Sequence, residues 1–372
     1  MAKSKLRVQW VEHENDFENL ANAWDDLALA IKAPLFLRHA WFKAAWAWAK
    51  QHAKLKILTL YDEMNLVAIC PMILQPTRYY HMQVEELALL TIPDTQCCDW
   101  LIAKTHVAAA YDAIMKALSR CHFHWDVINW RLLAPDAQLL SHQVPSSLFR
   151  LKAIENEIHY SVHLIPDWEG YYKNKSRRLK KGNNAILNKL TKAGTLELCR
   201  IAPDQHQQVA ILDIITKLSS TSWKNEVETA LNFEGPRAFV SKLFELFSNQ
   251  HDIVVWLLKL NGQPIAYELQ LTEQGRYYAL RSDYDPSFQA LSPGTYLNWK
   301  IIQALFQERA VHYYMGPGRN EYKLRWENQS LILATLRGYN DTFKGKLMQW
   351  LERNIYPTLR PVKHQIIKLT RG

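Results

Sequence analysis

The sequence predicts a mixed α/β fold built from two domains. Its 372 residues exceed one domain of ordinary size, and 48% of them are hydrophobic, which is enough to bury substantial cores. Short aromatic and β-branched runs alternate with helical periodicity, most clearly between Tyr277 and Met315, where strand, loop, helix and strand follow one another. Hairpin signals elsewhere predict antiparallel pairs as well, so both kinds of strand connection are expected.

The first predicted unit covers residues 1–160 and contains no recognisable phosphate loop. Its aromatic residues have the spacing of a packed core. In chain order, the patterns predict a strand at 6–11, helices at 17–30 and 34–46, and a hairpin of strands 55–61 and 66–74.

The second predicted unit covers residues 161–330 and continues into a basic C-terminal tail. The patterns predict a basic helix at 173–193, a strand at 195–201, and helices from 204 and at 236–248. Strands 253–259 and 264–271 follow, joined by the Asn261–Gly262 turn. A helix at 295–307 and a strand at 311–315 come next. A strand at 331–339 and a helical tail from 343, interrupted by Pro357 and Pro361, complete the chain.

The positive charge is concentrated in two stretches. The net charge is +9, yet residues 173–192 hold eight basic and no acidic residues, and residues 341–372 hold seven basic and two acidic ones. The remainder is therefore mildly acidic. Two basic patches on such a body indicate an anionic partner, which the sequence leaves open as a nucleotide, an anionic membrane surface or nucleic acid.

Several classes of protein are disfavoured by composition. The five cysteines are odd in number and scattered, which is typical of free thiols in a reducing compartment. We see no long apolar run and no signal peptide, so we expect a cytoplasmic protein, placed at the inner face of a membrane if the basic tail binds one. No metal site is predicted, and the serine-hydrolase elbow, the nucleotide P-loop and the zinc-protease motif are missing from the sequence.

The loop at 289–294 is the first candidate for ligand binding. It ends in Pro293 and Gly294 at the start of the predicted helix, where backbone N–H groups lack partners and can bind a phosphate. An ordinary crossover turn explains the same residues. The pattern Gln289-x-x-Ser292-x-Gly294, however, resembles the pyrophosphate loop of the GNAT acyltransferases, with serine in place of the first glycine.

Further segments resemble one branch of that superfamily, the CelD-type polysaccharide-associated acetyltransferases, and more distantly the Fem-type aminoacyltransferases. The segments are Ser176-Arg-Arg178, Ser222-Trp-Lys224, Gly262-Gln-Pro-Ile-Ala266, Asp283-Tyr-Asp-Pro286 and Glu321-Tyr-Lys-Leu-Arg-Trp326. The resemblance implies two tandem GNAT-like domains, of which the N-terminal one is degenerate and forms one wall of a cleft. It also implies that residues 331–372 return to the first domain and complete it.

The resemblance assigns roles to the residues of the cleft. It implies acyl-coenzyme A, with acetyl-coenzyme A expected, as the co-substrate, held by Gln289, Ser292, Pro293, Gly294 and Thr295. For catalysis it points to Lys323, which would stabilise charge at the reacting carbonyl, and to Tyr322, which would protonate the leaving thiolate. Basic and aromatic candidates for substrate binding are Arg177, Arg178, Trp223, Arg281 and Tyr296, the last also an alternative acid.

A base must remove a proton from the acceptor amine, and carboxylates at the strand ends are the candidates. Asp283 is the first choice and Glu268 the second, while each is also explained as a solvated or turn carboxylate.

Three functions follow from these patterns. The first is N-acylation of an amine on a sugar, an amino acid or a cell-envelope or exopolysaccharide intermediate. In the second, an aminoacyl-tRNA replaces the acyl-coenzyme A donor, as the basic helix would allow. The third is a protein without catalytic activity that assembles at a membrane surface through the basic tail.

Overall fold

The computed structural model describes residues 6–79, 81–141, 151–248 and 252–354. The strands are β1 (Arg7–Val11), β2 (Lys54–Leu55), β3 (Ile57–Asp62), β4 (Asn65–Cys70), β5 (Met72–Tyr79), β6 (Met82–Leu89), β7 (Leu101–Ile102), β8 (Val127–Leu133), β9 (Lys152–His163), β10 (Leu196–Ile201), β11 (Ile253–Leu260), β12 (Gln263–Glu273), β13 (Arg276–Tyr284), β14 (His312–Pro317) and β15 (Gln329–Tyr339).

Helices lie between and beside these strands. The α-helices are α1 (Glu14–Asn19), α2 (Ala21–Ala30), α3 (His39–Ala49), α4 (Val107–Ser119), α5 (Gln138–Ser141), α6 (Trp168–Lys173), α7 (Arg177–Ala193), α8 (Gln208–Ser220), α9 (Glu234–Phe247), α10 (Pro293–Gln307), α11 (Glu321–Trp326) and α12 (Phe343–Asn354). Short 3-10 helices lie at Leu35–Leu37, Trp223–Asn225 and Pro286–Leu291.

One long mixed sheet runs through the molecule. Its eleven strands have the order β10-β11-β12-β13-β14-β9-β15-β8-β6-β5-β2, and a smaller sheet has the order β1-β3-β4-β7. The pairs β13–β14 and β6–β8 are parallel, and the other recorded neighbours are antiparallel. The prediction of a mixed α/β fold is therefore confirmed.

The long sheet repeats one arrangement on either side of its centre. In the first half, β6 and β8 form a parallel pair whose connection contains α4; in the second half, β13 and β14 form such a pair around α10. The halves also exchange strands, because β9 pairs with β14 and β15 pairs with β8. The limits of the two domains, 1–160 and 161–330, stay a prediction, and residues 355–372, with both tail prolines, lie outside the described part.

Several elements begin or end where the sequence pattern did not indicate. The predicted helix 17–30 is divided at Leu20, and the basic stretch forms two helices because the Ser176 hydroxyl accepts a hydrogen bond from the Leu179 N–H and caps α7. The predicted strand 66–74 is divided at Pro71, since β4 stays in the small sheet and β5 joins the long one. The hairpin turn at Asn261 and Gly262 is confirmed, with φ of 52° and 79°.

Aromatic side chains fill the cores, as predicted. Trp41, Trp100 and Trp125 of the first half are almost fully buried, and Tyr313 and Trp326 are buried in the second half. A side chain of this size contributes at least about 2 kcal/mol through burial. None of the helices in the described ranges is long and apolar enough to span a membrane.

Candidate active site

The parallel strands β13 and β14 separate and leave a wedge between them. Their residues pair at only three positions, from Arg276 with His312 to Tyr278 with Tyr314. Beyond these positions the strands form the two walls of a cleft of about 710 Å³, with Ala279–Tyr284 on one side and Met315–Pro317 on the other. Between Ala279 and Arg281 the register with β12 shifts by one residue, so Leu280 is the extra residue of a β-bulge.

A tight turn carries β14 away from β13. Gly316 and Gly318 adopt φ of 79° and 90°, which favours glycine. The buried Lys323 ammonium donates to the carbonyls of Gly316, Pro317 and Gly318 at 3.0, 2.8 and 3.2 Å. Desolvation lowers the pKa of Lys323 to about 8. The three carbonyls account for all three N–H bonds of the ammonium group, so Lys323 holds this turn in place.

The N-terminus of α10 lies at the wide end of the wedge. Ser292 adopts a left-handed conformation, with φ 54° and ψ 50°, and Pro293 occupies the first helical position. A Cβ atom on Gly294 would lie 3.3 Å from the Tyr284 ring, so glycine permits close packing there. Of the five residues predicted to hold coenzyme A, Gln289, Gly294 and Thr295 line the cleft. Ser292 and Pro293 form the entry to α10.

Glu268 is a buried carboxylate on β12 that lines the cleft. The Tyr313 hydroxyl and the Gln270 amide both donate to its Oε1 atom at 2.7 Å. Burial outweighs these two hydrogen bonds and raises the pKa of Glu268 to about 7. Such a carboxyl group changes protonation near neutral pH, as a general base must.

Asp283 lies in the same cleft but is paired. Its Oδ2 atom accepts hydrogen bonds from the Tyr267 hydroxyl at 2.9 Å and from the Lys224 ammonium at 3.0 Å. Lys224 also donates to the carbonyl of Ser282 at 2.9 Å. The carboxylate that the sequence ranked first thus has a cation bonded to it, whereas the two hydrogen bonds to Glu268 come from neutral donors.

Arg281 is directed away from solvent and towards the first half. Its guanidinium donates twice to Asp94 Oδ2, at 2.9 and 2.7 Å, and once to the carbonyl of Thr229 at 2.7 Å. The guanidinium carbon also lies 5.1 Å from the centre of the Trp48 ring. Burial raises the pKa of Asp94 despite the neighbouring arginine. The predicted substrate contact therefore forms a buried ion pair between the two halves.

The remaining predicted residues divide between the cleft and other surfaces. Tyr322 lines the cleft with 38% of its surface exposed, and desolvation and the Glu268 charge raise the pKa of its hydroxyl. Tyr296 is buried edge-on against Trp299, outside the cleft lining. Arg177 and Arg178 are exposed on the first turn of α7, also outside the lining.

Two candidates lie partly or wholly outside the described residues. The side chain of Trp223 is not described, although its neighbours Ser222 and Lys224 line the cleft. Of the basic tail, α12 is described, and it exposes Phe343 and Trp350. Contact of the tail with an anionic membrane stays a prediction.

Asp94, Gln96 and Lys224 are among the residues of the cleft wall that were not predicted as site residues. Asp94 and Gln96 lie in the loop between β6 and β7, and Lys224 follows the predicted Trp223. Nothing in the local sequence around Asp94 and Gln96 indicates a binding site. Lys224 belongs to a segment that resembles the acyltransferase branch. The sequence therefore indicated that this segment matters, but it did not indicate the ion pair of Lys224 with Asp283. Among the described residues, no three histidine, cysteine or acidic side chains are grouped as metal ligands.

Comparisons with known proteins agree with this geometry. Residues 177–324 match the model of the "Acetyltransferase (GNAT) domain". The structure is similar to the "C-terminal Domain (DUF2156) of Putative Lysylphosphatidylglycerol Synthetase from Agrobacterium fabrum", with 12% identity and a TM-score of 0.54, covering 90% of this chain and 95% of the other.

Two further solved structures share the fold. FemX has 10% identity and a TM-score of 0.51, with 83% of this chain and 93% of FemX covered. A protein of unknown function from Bacteroides thetaiotaomicron has 10% identity and a TM-score of 0.50, with 90% and 100% covered. No curated protein matches the chain in sequence.

Proposed function

We propose that this chain, in which residues 177–324 match a GNAT acetyltransferase domain and which shares its fold with FemX, is an acyltransferase that transfers an acyl group from acyl-coenzyme A to an amine. We expect the acyl group to be acetyl and the acceptor to be an amine of a sugar, an amino acid or a cell-envelope intermediate. The observation that supports this most is the wedge between β13 and β14, which has a helix N-terminus at its wide end and an ionisable carboxylate in its wall.

The first turn of α10 has the features of a pyrophosphate site. The N–H groups of the first helical residues have no intrahelical acceptors, and the helix dipole adds partial positive charge. Gly294 and Thr295 of this turn line the cleft. Coenzyme A supplies an acyl thioester when bound, and the pantetheine arm would follow β13 from Tyr284 towards Ala279.

Glu268 is the better of the two candidate bases. A carboxylate with a pKa near 7 is ionised in a useful fraction and can accept a proton from an ammonium group, which makes the amine a nucleophile. The amine then forms the new C–N bond as the C–S bond of the thioester breaks, the sulfur leaves as a thiolate, and the second proton that the nitrogen loses passes to solvent. We assign a structural role to Asp283, because it is already paired with Lys224 and so fixes the β13 wall of the cleft.

Tyr322 and Lys323 contribute to this reaction in a more limited way than their motif implies. The raised pKa of Tyr322 keeps its hydroxyl protonated, so it can donate a hydrogen bond to the thiolate, whereas full proton transfer to sulfur is disfavoured. Lys323 acts through the turn that separates β14 from β13, because its N–H bonds are used by backbone carbonyls.

Isothermal titration with coenzyme A tests the proposal. We expect micromolar binding by the wild-type chain and a loss of at least tenfold in Thr295→Glu, because a carboxylate in the first turn repels the pyrophosphate. The same substitution favours the helix dipole, so folding should be retained. Thr295→Gln is the matched control without the charge and should bind nearly as well as wild type. No binding of coenzyme A at millimolar concentration would refute the donor assignment.

An aminoacyl-tRNA donor is the alternative, and α7 is the feature that favours it. Its exposed cations Arg177, Arg178, Lys181, Lys189 and Lys192 take part in no recorded ion pair within the described ranges. At 100° and 1.5 Å per residue they form a stripe about 22 Å long on one face. If this alternative holds, the same titration gives no heat with coenzyme A, and a tRNA gel shift shows binding that weakens steeply with salt.

A further inference from the structure

A glutamine of the first half closes the narrow end of the wedge. Gln96 is 1% exposed, and its side-chain amide donates to the carbonyl of Ala279 at 2.8 Å. Ala279 is the first residue of β13 after the last position paired with β14. The amide of Gln96 therefore occupies the place where a neighbouring strand would bond, at the point where β13 and β14 begin to separate.

His159 of β9 fixes this glutamine from the other side. Its Nε2 atom lies 3.0 Å from Gln96 Oε1, and the ring packs 5.4 Å from that of Tyr314. Because the amide nitrogen of Gln96 donates to Ala279, its oxygen must accept, so Nε2 of His159 carries the proton. Burial and the Lys323 charge lower the pKa of His159 to about 4, and the ring is neutral at physiological pH.

Polar groups surround the place where Gln96 bonds to Ala279. Gly316 of β14 lies opposite the Ala279 carbonyl, and a Cβ atom on Gly316 would lie 3.7 Å from the Ala279 oxygen and 3.9 Å from the Lys323 ammonium. The buried pair of Asp94 and Arg281 lines the adjoining wall. The end of the wedge is therefore narrow and polar, whereas an extended alkyl chain needs an apolar channel.

We propose that Gln96, positioned by His159, limits the length of the donor acyl group and restricts the enzyme to short acyl chains. This inference rests on the proposed acyl-coenzyme A donor, whose pantetheine arm would run along β13 with its acyl end towards Ala279. A longer chain must displace the amide, which leaves the Ala279 carbonyl and the His159 N–H without partners in a buried site. Unpaired buried polar groups are costly, and they give selectivity that apolar walls alone do not.

The test is the dependence of coenzyme A thioester binding on acyl length. Coenzyme A, acetyl-, butyryl- and hexanoyl-coenzyme A are titrated into the wild-type chain and into Gln96→Ala. We expect wild-type affinity to fall more than tenfold from acetyl to hexanoyl, and Gln96→Ala to reduce this difference to less than threefold. Free coenzyme A should bind both proteins equally, since it carries no acyl group to reach Gln96.

Two further sets of variants separate positioning from folding. His159→Ala should relax the length limit in part, and His159→Gln, which can still donate to Gln96, should restore it. Gln75→Ala is the matched control, because Gln75 is another glutamine of the first half that donates to a buried partner, Glu86, away from the cleft. It should leave the length profile unchanged, and melting temperatures identify any variant that fails to fold.

The outcomes distinguish this inference from the proposed function. If coenzyme A and its thioesters all fail to bind the wild-type chain, the donor proposal is wrong and the length limit falls with it. If they bind and Gln96→Ala keeps the wild-type length profile, the donor proposal stands and the role of Gln96 is refuted. A wild-type chain that binds hexanoyl- as tightly as acetyl-coenzyme A refutes it as well.

Discussion

Two carboxylates on neighbouring strands line the cleft, and their surroundings give them different chemistry. Asp283 accepts hydrogen bonds from a lysine and a tyrosine, so its negative charge is already balanced. Glu268 accepts from a tyrosine and a glutamine, both neutral, and burial raises its pKa to about 7. Two groups of the same chemical type can thus hold different roles, one structural and one in proton transfer.

Replacing Glu268 by glutamine should remove the proton acceptor and leave the cleft shape intact. We expect kcat/KM to fall about 100-fold or more, a common effect of losing a general base. The wild-type rate should rise with pH through an apparent pKa near 7, and that limb should be absent in Glu268→Gln. Release of thiol from acetyl-coenzyme A, followed with an amine acceptor that supports turnover, measures both quantities.

The same substitution has a predictable effect on stability, which needs no acceptor. The folded pKa of Glu268, about 7, exceeds the unfolded value of 4.5, so the folded chain binds more protons between these pH values. Its stability contribution is present below pH 4.5 and is lost as the pH rises through 7. Glu268→Gln should therefore gain stability relative to wild type as the pH is raised from 5 to 8. Equal differences at the two pH values would show that the carboxylate is not perturbed.

The sequence could place both carboxylates in the cleft and ranked Asp283 first, but the contacts that distinguish the two carboxylates are not local. Asp283 lies near the end of one predicted strand and Glu268 within the neighbouring one, and this placement follows from strand period and order. Their ranking depends on the Lys224 ammonium, which reaches Asp283 from a segment 59 residues earlier in the chain. No local pattern encodes a contact of that kind, and burial, which raises the pKa of Glu268, depends on the whole fold.

At the level of elements, the turn at residues 316–318 directs β14 away from β13, and the wedge depends on this turn. Lys323 holds three successive carbonyls of that turn, while its neighbour Arg325 is exposed and pairs with Glu321 on the same helix. Lys323 and Arg325 both belong to the short motif Glu321–Trp326. The motif alone therefore suggests catalysis for a residue whose contacts are those of a structural support.

Lys323→Met should destabilise the turn and weaken donor binding together. Three carbonyls lose their donor, and we expect a loss of about 2 kcal/mol in the free energy of unfolding, with weaker coenzyme A binding. Arg325→Met is the control for stability alone, since Arg325 also lines the cleft, and it should cost at most about 0.5 kcal/mol, because exposed helix pairs contribute little. Denaturant unfolding and titration measure both. A Lys323→Met variant of unchanged stability and affinity that loses only kcat would instead support the catalytic role that its motif implies.

Elements with strong local signals were predicted well, and those interrupted by one residue were not. Helix α10 and the hairpin at Asn261 and Gly262 follow from periodicity and turn chemistry, and both are confirmed. The division at Ser176 comes from a single capping hydroxyl in an otherwise helical pattern. The division at Pro71 comes from the assignment of β4 and β5 to different sheets, which depends on distant partners.

At the level of the whole molecule, the two halves are joined in ways that the sequence does not encode locally. Each half supplies a strand to the other, since β9 lies beside β14 and β15 beside β8. The loop between β6 and β7 then carries Asp94 and Gln96 into the cleft of the second half. The similarity of the halves could be expected from the resemblance to tandem acyltransferases, but these cross-contacts could not, because their partners are far apart in sequence.

The ion pair of Asp94 and Arg281 is a buried contact between the halves and also lines the cleft, so its loss should affect the stability of the chain. Arg281→Met leaves the Asp94 carboxylate buried without its cation, which costs about 3 kcal/mol in the free energy of unfolding. Burial already raises the pKa of Asp94, and loss of the arginine raises it further. The folded chain then binds the extra proton, so the destabilisation should be larger at pH 8 than at pH 5.

Urea unfolding at the two pH values measures this effect, and an exposed pair provides the comparison. Arg237→Met removes the partner of Asp213 on the surface, where both side chains are about half exposed, and it should cost less than about 1 kcal/mol at either pH. Adding Asp94→Asn to Arg281→Met should recover part of the loss at pH 8, because the buried charge is removed with its partner. If Arg281→Met costs no more than Arg237→Met, the two halves are held together by strand exchange and apolar packing, and the ion pair contributes only to the shape of the cleft.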